Sequence, residues 1–227
     1  LYVADRPLLD VGFDLALGVP ADADVSADEA MFLPEFLKTA FDEATIRIDG
    51  ETRPLVAETD TVTWVDGYDA RDRAFDWPVA LGWILFAIGG AGTAWQAATG
   101  RVITRRIDAA LFLIAGLAGL VICLLWFVAE HTVTNYNWNL LWAWPTHTAA
   151  VAALGRTGRV RQAAGVYFAA AAVAAGSLAV GWAWMPQDLN AAVLPLVLLL
   201  TLRLAWQAVC LLGVSSLTGS PRTAEPA

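Results

Sequence analysis

"AALFLIAGLAGLVICLLWFVA", residues 109–129, runs for 21 residues without a charge. At about 1.5 Å per residue a helix of that length spans a hydrocarbon core of about 30 Å. Residues 78–98, "PVALGWILFAIGGAGTAWQAA", are equally long and equally uncharged. Working outward, three further apolar stretches fall at 138–154, 163–185 and 191–213. A hydrophobic content of 58% and a mean hydropathy of +0.55 agree with membrane spans rather than a water-soluble core. The expected class is therefore a mainly α membrane protein. Its architecture is a five-helix transmembrane bundle preceded by a small α+β extracytoplasmic segment.

Charge divides the chain. Residues 1–77 hold 18 acidic and 6 basic side chains, whereas residues 78–227 hold 4 acidic and 8 basic ones. An acidic, water-facing part is a poor partner for nucleic acid or anionic lipid. Within the apolar part the arginines occupy alternate connections. Arg101, Arg105 and Arg106 separate the first two spans, Arg156, Arg159 and Arg161 follow the third, and Arg222 follows the fifth. The connections 130–137 and 186–190 contain no Lys or Arg. Cationic loops stay on the cytoplasmic side. Residues 1–77 are thus expected outside and the tail 214–227, read as disordered, inside. Trp77, Trp95, Trp138, Trp182 and Trp184 lie near span ends, as an aromatic belt requires.

The water-facing part reads as short elements. Residues 7–18 suit a helix, and Ser26 with Glu29 has the spacing of a capping box. Pro34 interrupts or restarts the helix that follows, and Phe36, Leu37, Ala40, Phe41 and Ala44 share one face. "TIRIDGETRPLVAETDTVTWV" alternates and carries Asp49-Gly50, a hairpin or meander signal. So little core is marginal alone. The segment either completes a larger domain, as the C-terminal part of one, or rests on the helix ends.

The polar stretch "NYNWNLLWAWPTH", residues 135–147, stands out against these spans. Asn135, Asn137 and Asn139 alternate, which places them on one side of an extended approach. In a helix Asn139, Ala143 and His147 would share a face, with His147 roughly 14 Å below the outer surface. Pro145 frees the carbonyl of Leu141. One reading is an outer-leaflet pocket for a phospholipid headgroup or a lipidated peptide, built from His131, Asn135, Asn137, Asn139, His147 and the rim charge Glu130. The other is that these side chains tie helix to helix.

Further polar residues read as structural. Arg203 either pairs with Asp108 or snorkels toward the inner surface. "GGAG" at 89–92 follows no strand, so it reads as close helix packing rather than a phosphate loop. Cys123 and Cys210 sit at different depths and read as buried free thiols. No metal or cofactor is expected.

"DLALGVPAD" (14–22), "MFLPEFLKTAFDEATI" (31–46), "RPLVAETDTVTW" (53–64) and "NYNWNLLWAWPTH" together resemble a known family. They are similar to the C-terminal half of bacterial envelope proteins carrying the Lnb N-terminal periplasmic domain. That resemblance implies a papain-like or NlpC/P60-like periplasmic domain followed by membrane helices, in the bacterial inner membrane. It also implies lipoprotein N-acylation, with a phospholipid as acyl donor and lipoproteins as acceptors. The family's Cys and His belong to the periplasmic domain, and residues 1–77 contain neither. The thiol nucleophile is accordingly expected upstream, with no catalytic residue in this chain. Two functions follow as expectations: the membrane half of an envelope acyltransferase, or a non-catalytic membrane anchor for a periplasmic domain. A transporter is disfavoured, because spans one, two and four carry no interior charge and no inverted repeat is evident.

Overall fold

A computed structural model describes residues 6–63, 75–101 and 105–213. The tail 214–227 with Arg222, Trp64 and Val65 at the end of the expected meander, and residues 102–104 lie outside the described residues. The chain divides into two units, Leu1–Asp22 with Arg73–Ala227, and Ala23–Asp72. A boundary placed at residue 77 does not coincide with this division. The first stretch of the water-facing part belongs with the membrane helices, for reasons given below.

In the smaller unit, Ser26 and Glu29 form the reciprocal capping box that starts a one-turn helix, Ala27–Ala30. The Ser26 nitrogen donates to Glu29 Oε2 at 2.9 Å, and the Glu29 nitrogen donates to Ser26 Oγ at 3.3 Å. Pro34 then opens a new helix, Pro34–Glu43, at the position where its missing N–H costs nothing. Strands Thr45–Ile48 and Glu51–Pro54 pair antiparallel with Ile48 opposite Glu51. Asp49 (φ 51°) and Gly50 (φ 86°) make the two-residue turn that this register needs.

Among the described residues of the larger unit, α1 (Pro7–Ala16) precedes four helices long and apolar enough to cross a membrane. We number these α2 (Trp77–Thr99), α3 (Arg105–Phe127), α4 (Gly158–Gly181) and α5 (Val193–Leu212). Asp76 caps α2, and left-handed Gly100 and Gly213 close α2 and α5. The buried seam joins α3, α4 and α5 through Phe112, Phe168, Leu178, Leu200 and Leu204. Small residues Ala164, Ala171 and Ala175 line the buried side of α4, so its axis lies close to α5. Large apolar side chains such as Ile84, Ile88, Ile114 and Leu124 remain exposed, as expected where the surrounding solvent is lipid.

The third span departs from expectation. Residues 138–154 do not form a continuous helix but a run of short turns: Trp138–Leu141, His147–Ala150 and Val151–Ala153. Pro145 has no N–H to offer Leu141, and the bonds around it tighten to three-residue spacing, from His147 N to Trp144 O (2.9 Å) and from Thr148 N to Pro145 O (3.2 Å). The single helical face for Asn139, Ala143 and His147 is therefore not realised. The irregular backbone lies against α3 at Gly116 and Gly119. A Cβ on Gly116 would stand 2.7 Å from Thr148 N, and one on Gly119 would collide with the carbonyl of Ala143.

Candidate functional site

The two ends of the larger unit differ in charge. At one end Asp10, Asp14, Asp22 and Asp188 gather, and at the other lie Arg105, Arg156 and Arg161. The candidate residues concentrate at the acidic end, where α3 gives way to the broken segment and α4 to α5.

Asn137 is buried and uses its whole amide. Its Nδ2 donates to the carbonyls of Leu15 (2.8 Å) and Leu17 (2.9 Å), while its Oδ1 accepts from Asn139 N at 3.0 Å. Gln187 repeats the arrangement from the α4–α5 connection, donating to Leu17 O at 2.9 Å and accepting from Trp138 N at 2.7 Å. The end of α1 leaves carbonyls without intrahelical partners, and these two side chains supply them. Gly18 N donates to Val133 O at 2.9 Å, and the Asn135 carbonyl lies where a Cβ on Gly18 would fall. Asn190 completes the seat, donating to Asp14 Oδ2 at 2.7 Å and accepting from Ala192 N at 3.0 Å. Burial raises the Asp14 carboxyl above its ordinary value. The Asn190 hydrogen bond opposes that rise, and Asp10, Asp188 and Asp22 add to it.

Asn139 accepts from Trp142 Nε1 at 3.0 Å. Deeper in, His147 is fully buried, with Nε2 3.2 Å from the Trp142 carbonyl and Nδ1 2.7 Å from the Tyr167 hydroxyl. A neutral ring with its proton on Nε2 satisfies both contacts: Nε2 donates to the carbonyl and Nδ1 accepts from Tyr167. Thr146 Oγ1, 2.9 Å from the Tyr167 oxygen, then serves as donor to it. Glu130 and His131 are exposed, and Asn135 is half-buried. The structure thus brings Asn137 and Asn139 together and sets His147 apart with Tyr167. No hydrogen bond joins His131 or Glu130 to either group among the described residues.

Beside Asn137 lies a cleft of about 280 Å³ walled by Trp126, Tyr136, Trp138, Leu140 and Leu141. The Trp126 and Tyr136 rings stand 5.7 Å apart. The cleft's walls are otherwise aromatic and aliphatic, Asn137 being the one side-chain amide among them. Toward the arginine end, Arg203 and Asp108 form a buried two-bond ion pair, Nε to Oδ1 and Nη2 to Oδ2, both at 2.7 Å. Arg203 Nη1 also reaches Thr93 Oγ1 (2.6 Å) and Gln96 Oε1 (3.0 Å), and Gln207 donates to Asp108 at 2.6 Å. This network ties α2, α3 and α5.

Sequence reasoning passed over Gln187, Asn190, Tyr167, Trp126 and Tyr136. A signal existed for the first two, since "PQDLN", residues 186–190, places two amides in the connection between the last two spans.

Four lipid-length helices, a broken fifth segment and a polar knot at one end define a multi-pass helical membrane protein. The family model of the Lnb transmembrane domain matches residues 70–212, more than half the chain, and the chain belongs to that family. None of the curated proteins and none of the solved structures matches it.

Proposed function

We propose that this chain is the membrane half of an envelope acyltransferase acting on lipoproteins, in the bacterial inner membrane. The acidic end faces the periplasm and the arginine end the cytoplasm, in keeping with the distribution of basic residues. The thiol is supplied from outside these residues, because residues 1–77 hold no Cys or His and both cysteines here lie within membrane helices. In the first half-reaction the thiolate attacks a phospholipid ester, forming a thioester and releasing lysophospholipid. In the second, the lipoprotein α-amine attacks the thioester, forming the amide and restoring the thiol. Phospholipid donor and lipoprotein acceptor are the partners in this scheme.

The observation that carries the reading is the double grip of Asn137 and Gln187 on the Leu15 and Leu17 carbonyls. The bundle spends buried amides on the chain that leads out of the membrane, which suits a domain that must set reacting parts at a fixed height above the lipid. Asn139 and His147 stiffen the broken segment, and Asn135, His131 and Glu130 form its rim. The test is the pair Asn137→Ala and Gln187→Ala, together, in the intact protein. Conversion of diacyl to N-acylated lipoprotein, read by mass spectrometry, should fall by about tenfold or more, since ångström misplacement costs rate on that scale. Unchanged conversion in the folded double variant overturns the reading.

A second reading, a non-catalytic anchor for a periplasmic domain, is favoured by one fact. Among the described residues, every buried side-chain polar atom has a hydrogen-bond partner, so none stands ready for a ligand.

A further inference from the structure

We propose that the cleft beside Asn137 seats one acyl chain of a membrane phospholipid. The proposal deepens the reading above by assigning a donor-lipid site, but binding itself does not depend on any transfer chemistry.

Polarity comes first. The cleft's one amide, Asn137, has both N–H groups and its oxygen committed to protein partners. The other wall residues, Trp126, Tyr136, Trp138, Leu140 and Leu141, carry no charge, and the surface they give the cleft is almost wholly apolar, the Tyr136 hydroxyl and the two indole N–H groups being their only polar side-chain atoms. A phosphate or a peptide entering there would lose more hydration than these few neutral groups return. Hydrocarbon would not.

Size and position agree. A space of about 280 Å³ holds about nine groups of water size, at about 30 Å³ each, and a methylene is of that order. That accommodates a stretch of one chain rather than two. One wall, Trp126, belongs to the end of α3, whose neighbouring Leu124, Phe127 and Val128 are exposed apolar side chains, so lipid-facing surface adjoins the cleft. No hydrophobic driving force distinguishes bilayer from cleft. An unfilled apolar void nevertheless forfeits the dispersion contacts of its lining, and the nearest material to restore them is a lipid chain.

The walls are also held in place. Tyr136 adopts φ 53°, a left-handed conformation that a non-glycine residue keeps only where its surroundings impose it. Here they do, through the Gly18–Val133 hydrogen bond and the close approach of Asn135 to Gly18 on one side, and Asn137 on the other. The strained turn holds the Tyr136 ring opposite Trp126 although its side chain is largely exposed. Trp138 is fixed from behind by Gln187. A preformed slot loses less entropy on filling.

The test uses the intact protein in vesicles of phosphatidylethanolamine and phosphatidylglycerol, doped with a phosphatidylcholine bearing a mid-chain diazirine. After irradiation, labelled peptides are mapped by mass spectrometry. Label should concentrate on Trp126 and residues 136–141 by about fivefold over the exposed α4 positions Val173 and Val180, the modest bias that packing alone supports. Leu141→Trp, which fills the slot, should bring that labelling down to the Val173 level. Tyr136→Gly removes one wall and relieves the left-handed strain, so it should fold while losing the same label. Even labelling over the lipid-facing surface, or cleft labelling unaltered in both folded variants, overturns the seat. A protein that labels there but converts no lipoprotein overturns the proposed function and supports the seat; one that converts with an unlabelled cleft overturns the seat alone.

Discussion

Gly119 shows how one residue decides the course of a whole segment. A glycine inside a helix ordinarily costs about 0.5–1 kcal/mol against alanine, yet here the Ala143 carbonyl occupies the place of its missing Cβ. Gly119→Ala should therefore destabilise by about 1–3 kcal/mol through overpacking. Gly90→Ala, which meets nothing within 4 Å, should stabilise by about 0.5–1 kcal/mol. Thermal unfolding in one detergent compares the two. Asp14 carries the pH dependence. Burial holds its folded carboxyl above the ordinary carboxylate range, so the folded state binds more protons in the window between the ordinary value and the raised one. Stability then falls as pH rises through this window and is recovered on acidification. Asp14→Asn keeps an acceptor for Asn190, and should flatten that slope and raise the melting temperature at neutral pH. An unaltered slope would contradict the role given to Asp14. The amide pattern of 135–139 was legible in the sequence as something unusual for a membrane. That Asn137 reaches Leu15 and Leu17, 120 residues and more away, was not, because no local spacing encodes a contact of that range.

At the scale of elements, apolar runs of about 20 residues, uncharged except for Arg203 in the last, fall on α2, α3, α4 and α5. The third span failed the same reading. Its apolar content matched a helix, but Pro145, the Gln187 acceptor at Trp138 N and the His147 ring at the Trp142 carbonyl replace the regular ladder. Irregular backbone at membrane depth is tolerated only when protein satisfies it, and these side chains do so. The Asp108–Arg203 network is the counterpart among the regular helices. Arg203→Met leaves Asp108 buried without its counter-ion and should cost about 3–5 kcal/mol. Adding Asp108→Leu should recover more than half of that loss, because the unpaired charge is removed. A double variant as unstable as the single one would mean that Thr93, Gln96 and Gln207 depend on the pair for their own partners.

At the scale of the whole molecule, the fold and the chemistry sit in different places. Composition and charge identified a bundle, and the family match over residues 70–212 agrees with that. Neither identifies a nucleophile in this chain. What the bundle contributes, in the proposed scheme, is a fixed seat for residues 7–22 at the acidic end and an apolar slot beside it. The slot was not legible from sequence, because Trp126, Tyr136 and Leu141 look like ordinary belt and core residues until the broken segment brings them together. The most direct measurement is conversion of diacyl to N-acylated lipoprotein by the intact protein and by the variant whose extracytoplasmic cysteine is alanine. The account predicts an added amide-linked acyl chain with the first and none with the second. Equal conversion by both, or the absence of any such cysteine, would contradict the thiol mechanism, and no conversion by the intact protein would leave the bundle as an anchor.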